Sequence, residues 1–74
     1  MAPRFRSLRG PEVIRAFERA GGVRRSGKGD HVNIKMPNGR IVTVRSRGYV
    51  GIGLLKDLLK RAGLMDEEFE RLLR

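Results

Sequence analysis

From Val13 onward the apolar residues fall at helical spacing. Val13, Ala16, Phe17 and Ala20 form one stripe, widened by Ile14, and Arg15, Glu18 and Arg19 occupy the other face. Gly10-Pro11-Glu12 supplies the start of this helix. Proline at the first helical position gives up only an N–H that would be unpaired there, and an early acid suits the helix dipole. Gly21-Gly22 supplies the stop, through the left-handed conformation that other residues avoid. The stretch from Val23 to Gly29 has no such period: Arg24, Arg25 and Lys28 are interspersed with Gly27 and Gly29, and the element it can form is a short edge strand.

At His31 the period drops to two. Val32, Ile34 and Met36 alternate with His31, Asn33 and Lys35, and beyond Pro37-Asn38-Gly39 Val42 and Val44 alternate with Ile41, Thr43 and Arg45. This predicts a hairpin with one buried and one wet face. Matching the faces fixes its register. A two-residue Asn38-Gly39 loop would set Ile34 against Thr43 and Lys35 against Val42, mixing polar and apolar partners. A three-residue loop, with Pro37 and Asn38 in a type I turn and Gly39 in the left-handed bulge position, sets Ile34 against Val42 and Val32 against Val44. The other face then carries His31 beside Arg45, Asn33 beside Thr43 and Lys35 beside Ile41, and the same alternation sends Asp30 to the side away from His31. A slip of one residue would invert both faces, so the buried pattern selects this register.

Ser46 to Gly53, with three glycines, reads as a loop. Leu54, Leu55, Leu58, Leu59 and Ala62 then make a strong helical stripe, with Asp57 and Arg61 spaced as an outward i,i+4 ion pair and Gly63 as the stop. Asp66 is placed to cap a last short helix through Glu67, Glu68, Phe69, Leu72 and Leu73. The order α-β-β-β-α with a helical extension predicts an α+β fold, a three-stranded antiparallel sheet covered by helices on one face. Residues 1–9 are expected to be a flexible basic arm and residues 10–74 one domain.

Charge sharpens this picture. The 74 residues carry 17 Lys and Arg against 8 Asp and Glu, a net +9, and the whole excess lies in residues 1–50. A one-sided positive field attracts polyanions by Coulomb force and counterion release, which makes nucleic acid the leading partner. Composition alone leaves RNA, DNA, anionic lipid and an acidic protein open. Thirteen of the 17 cations are Arg, whose planar fork suits bidentate phosphate contact. The start, Met1-Ala2-Pro3-Arg4-Phe5-Arg6, lacks the apolar run of a signal peptide, and no stretch is long and apolar enough to span a bilayer, so a cytoplasmic protein without membrane contact is expected.

One His, no Cys and no clustered inward carboxylates fall short of a metal ligand set, and no nucleophilic triad or phosphate-loop signature is present, so no metal or cofactor is expected. His31 is the residue with chemical potential. It lies on the wet strand face, with Arg45 opposite and Lys28, Asn33 and Lys35 nearby. RNA carries its own nucleophile, so strand cleavage needs only a proton acceptor or donor near its working pH and cations on the phosphate. An imidazole, with a reference pKa of about 6.5, meets the first need, and Arg and Lys meet the second.

The segment Lys28-Gly29-Asp30-His31 resembles the Lys-Gly-Ser-His motif of HicA-type toxins, the YcfA-like family. The resemblance extends through Arg19-Ala20-Gly21, Pro37-Asn38-Gly39-Arg40, Val42-Thr43-Val44, Gly53-Leu54-Leu55, Lys60-Arg61-Ala62-Gly63-Leu64 and Glu67-Glu68-Phe69, in the family's order and over about residues 10–73. It implies a double-stranded-RNA-binding-domain-like fold and a toxin-type mRNA endonuclease neutralised by a HicB-like antitoxin. It also implies that His31 is the catalytic residue, within a motif that includes Gly29 and Asp30. Lys28, Asn33, Lys35, Arg45, Arg24 and Arg25 are the expected RNA and phosphate contacts. The chain departs from the family pattern in three places. Asp30 stands where Ser is common, Gly22 where an aromatic or aliphatic residue is usual, and Arg45-Ser46-Arg47 where many members have a second His. The competing classes are a noncatalytic RNA-binding module using the same face and a protein-interaction domain for an acidic partner.

Overall fold

The computed structural model describes residues 7–74. The elements run β1 (Leu8–Arg9), α1 (Gly10–Arg19), β2 (Val23–Arg25), β3 (His31–Lys35), β4 (Ile41–Arg45), β5 (Tyr49–Val50), α2 (Ile52–Ala62) and α3 (Asp66–Leu72). They form an α+β fold with an antiparallel sheet in the order β2-β3-β4, together with a second, two-stranded sheet of β1 and β5.

The hairpin register follows the face-matching argument: Ile34 pairs with Val42, Val32 with Val44, His31 with Arg45, Asn33 with Thr43 and Lys35 with Ile41. The turn closes as a three-residue loop. The Gly39 N–H donates to the Met36 carbonyl at 2.9 Å, the Met36 N–H donates to the Arg40 carbonyl at 2.8 Å, and Gly39 takes φ 86°. The inward face of the sheet, Ile34, Val42 and Val44, packs with Val13, Phe17, Leu55, Leu59 and Phe69 into one core with α1, α2 and α3. Phe17 and Phe69 meet with ring centroids 5.4 Å apart, joining α1 to α3.

Several expectations are corrected. Leu8 and Arg9, assigned to the arm, form β1, and Tyr49 and Val50, read as loop, form β5; Leu8 pairs with Val50 and Arg9 with Tyr49. Of the rest of the expected arm, Ser7 is exposed and outside any element, and residues 1–6 lie outside the described residues. Arg61 does not pair with Asp57 but donates from Nε to the Ile41 carbonyl at 2.7 Å, fastening α2 to the start of β4. Asp66 is inside α3 rather than capping it. The N-cap is Met65, whose N–H donates to Glu68 Oε1 at 3.0 Å, and the Asp66 carboxylate takes a hydrogen bond from Lys56 instead. At the other end of α3, the Arg19 guanidinium donates to the carbonyls of Leu72 and Arg74 at 2.7 and 3.0 Å, which satisfies free helix-end acceptors.

Gly22 has no room for a larger residue. A Cβ there would stand 2.6 Å from Ile34 Cγ2 and 2.8 Å from the Phe17 carbonyl oxygen, so α1 passes directly onto the sheet at this point. No helix among the described residues is long and apolar enough to cross a membrane.

Candidate nucleic-acid interface

Directly opposed residues share a face of an antiparallel sheet. The face away from the helices therefore carries His31 and Arg45 in one row, Arg25, Asn33 and Thr43 in the next, and Val23, Lys35 and Ile41 in the third. It is an open, basic surface. Arg24 is not on it: paired with Ile34, it turns to the helix side and donates to the Glu18 carboxylate at 3.4 Å. Asn33 faces outward, but its amide is committed to the fold, donating to the Ser26 carbonyl at 3.0 Å and accepting from Thr43 Oγ1 at 2.7 Å. It ties the β2–β3 loop to the sheet.

That loop sets the position of His31. The His31 N–H donates to the Lys28 carbonyl at 3.0 Å, closing a turn in which Gly29 takes φ 59°. Gly27 packs so closely beneath that a Cβ would lie 2.1 Å from the His31 carbonyl oxygen. Lys28 is thus fixed in the turn that leads into β3, three residues before His31.

Asp30 is on the same side as His31, contrary to the alternation argument. It precedes β3 and belongs to the turn, so the two-residue period does not yet govern its direction. Its Oδ1 lies 3.4 Å from His31 Nδ1, and its Oδ2 accepts from Arg45 Nη2 at 3.3 Å. Its backbone is held as well, since the Ser46 N–H and Oγ–H both donate to the Asp30 carbonyl, at 2.7 and 3.0 Å. The carboxylate therefore bridges the imidazole and the guanidinium across the end of the hairpin. An anion beside Nδ1 favours the tautomer with the proton there, leaving the Nε2 lone pair for a substrate. The imidazole is accessible, with 56% of its side chain exposed. Ser46 and the paired role of Asp30 were missed in the sequence; the signal that could have found them is Gly29, whose left-handed turn breaks the strand pattern just before Asp30.

The hydrogen bond from Arg45, outweighing the opposing desolvation, holds the Asp30 carboxyl below the usual aspartate range. Because the folded-state value is the lower one, the stabilisation is complete above the pKa of a free aspartate, about 3.9, and is lost as pH falls through the depressed value. An NMR titration of the Asp30 carboxyl carbon is expected to show a midpoint below that of a free aspartate, and Arg45→Ala should move it upward. An unshifted midpoint in the wild type would remove the Asp30–Arg45 link.

Among the described residues, no group of three or more His, Asp, Glu or Cys side chains is placed to hold a metal ion. The arrangement offers an accessible imidazole backed by a carboxylate, with Arg45 opposite, Lys28 in the turn before it, and Arg25 and Lys35 one and two rows along the face. It can exchange one proton and neutralise a phosphate.

The family model described as the HicA toxin of bacterial toxin-antitoxin matches residues 10–64, from the first residue of α1 to the residue after the α2 stop. The curated proteins gave no match.

Proposed function

The chain belongs to the HicA toxin family and is a toxin of a toxin-antitoxin system, and on that premise we propose that it is an mRNA endonuclease with His31 as general acid/base. The observation that carries this reading is the bridge from His31 Nδ1 through Asp30 to Arg45 at the end of an open basic sheet face. His31 Nε2 accepts the proton of the RNA 2′-hydroxyl, the 2′-oxygen attacks the adjacent phosphorus, and the bond to the 5′-oxygen breaks, the departing oxygen taking a proton from water. The products are a 2′,3′-cyclic phosphate and a 5′-hydroxyl. Arg45, opposite His31, and Lys28, in the turn before it, stabilise the charge on the non-bridging oxygens, while Arg25 and Lys35, one and two rows along the face, hold neighbouring phosphates. Arg24, held by Glu18 on the other side of the sheet, is left out of this contact set. A HicB-like antitoxin silences the protein by covering the His31 face, which blocks phosphate access.

The test is incubation of the purified protein with labelled RNA and DNA in EDTA. Cyclic-phosphate ends from RNA and intact DNA are expected, because only RNA has the 2′-hydroxyl. RNA affinity should also fall with salt. A single strand loses about 0.7 in log K per log salt for each phosphate contact, so four contacts predict a slope near −3. Cleavage that requires Mg²⁺ would overturn the mechanism. A mobility shift without cleavage would favour a noncatalytic RNA-binding module on the same face, and a flat salt response would sink the electrostatic account.

A further inference from the structure

The small β1–β5 sheet carries a feature that the core does not require. Its inward pair is Leu8 and Val50, with Val50 buried, and its outward pair is Arg9 and Tyr49. Tyr49 is the chain's one tyrosine and is 66% exposed, and the Arg9 guanidinium carbon lies 5.7 Å from the centre of its ring. A cation at that distance from an aromatic face is attracted by the ring quadrupole and steadies the ring. Around the pair runs a groove lined by Pro11, Ser46, Arg47 and Gly48, and a neighbouring groove, lined by Gly29, Asp30, Ser46 and Arg47, continues it to the His31 turn. Ser46 and Arg47 belong to both.

The fold holds this platform close to the hairpin end. The Gly10 N–H donates to the Gly48 carbonyl at 3.0 Å, and Gly10 rests so tightly on the end of β4 that a Cβ would stand 1.8 Å from the Arg45 carbonyl oxygen. Tyr49 follows Arg45 by four Cα steps, at most ~15 Å of chain, and Arg45 is the partner of His31.

We infer that the Tyr49–Arg9 pair is a stacking subsite for an unpaired nucleobase of an RNA single strand whose phosphates pass Arg47 and Ser46 on the way to His31. An aromatic ring and a guanidinium both present planar stacking surfaces to bases, whereas cations alone hold only the phosphates. The subsite takes single-stranded RNA with little regard for base identity, since every base has a π-face. It rests on the proposal that the protein acts on RNA.

The chain has no tryptophan, so tyrosine emission reports Tyr49 alone. The experiment titrates the full-length protein with a 2′-O-methyl oligoribonucleotide, which lacks the attacking hydroxyl, and in parallel with inorganic polyphosphate as a polyanion without bases. Binding is followed separately by mobility shift. The oligonucleotide is expected to quench the emission with the midpoint seen in the shift assay, and polyphosphate is expected to bind without quenching. Tyr49→Phe should retain the affinity, and Tyr49→Ala should weaken it on the order of tenfold. Oligonucleotide binding with unchanged emission and unchanged affinity in Tyr49→Ala would overturn the subsite and leave the RNA reading standing. No binding to RNA by the wild type would overturn both.

Discussion

Replacing His31 with alanine is expected to slow RNA cleavage on the order of 10²- to 10⁴-fold, the usual worth of a positioned general acid or base, while RNA affinity stays within a few-fold. The split follows from the layout of the open face. Arg45, Lys35, Arg25 and Lys28 are the cations expected to supply the attraction, and they stay in place when the imidazole is removed, whereas no second imidazole stands on that face. Because His31 is accessible and buried in no core cluster, the substitution leaves a folded protein to measure. Asp30→Asn makes a useful companion: it removes the charge beside Nδ1 but keeps the size, and should lower the rate less than the loss of His31. The decisive comparison pairs a cleavage assay with a mobility shift on wild type and His31→Ala. A mutant that cuts at the wild-type rate would end the acid/base role.

Phe69→Ala is expected to cost about 3–5 kcal/mol of folding stability, the range for deleting a large buried aromatic side chain. A core this small rarely supplies more than about 3–5 kcal/mol in total, so the variant should be largely unfolded, with binding and cleavage lost together. Phe69 is fully buried and packs on Phe17 from α3, beyond the residues that match the family. Urea unfolding followed by circular dichroism checks this. A loss below about 1 kcal/mol would mean that α3 rests on the core without completing it.

The hairpin was legible in the sequence down to its pairing, because alternation over β3 and β4 leaves one register in which apolar residues face apolar residues. The row His31, Arg45, Asn33, Thr43, Lys35 and Ile41 on the open side came with it. Where the pattern is shorter than a period, less was legible: the edge strand at Val23–Arg25 could be read, but not which way its residues face. Val23, Arg24 and Arg25 offer one apolar residue in three, and the strand turns that residue outward and Arg24 inward toward Glu18. β1 and β5 have two residues each and exist only through each other, so neither half signals a strand. Asp30 was misdirected because strand alternation was carried one residue too far, into a turn shaped by Gly29. Arg61 illustrates a different cause: the spacing to Asp57 is right for a helix pair, but tertiary packing offers the Ile41 carbonyl instead.

The two sheets of this protein also differ in how much chain must be ordered before they can close. β3 and β4 are joined by a short loop, so the entropy of bringing His31 opposite Arg45 is small, and that pair can assemble from local contacts alone. β1 must find β5 across α1 and the whole hairpin, for only two residue pairs of reward. That imbalance gives the molecule a natural order of assembly and of fraying. The hairpin is therefore expected to order first and the clasp of Leu8–Arg9 on Tyr49–Val50 to open first, so amide exchange should be faster in the clasp than at the His31 end.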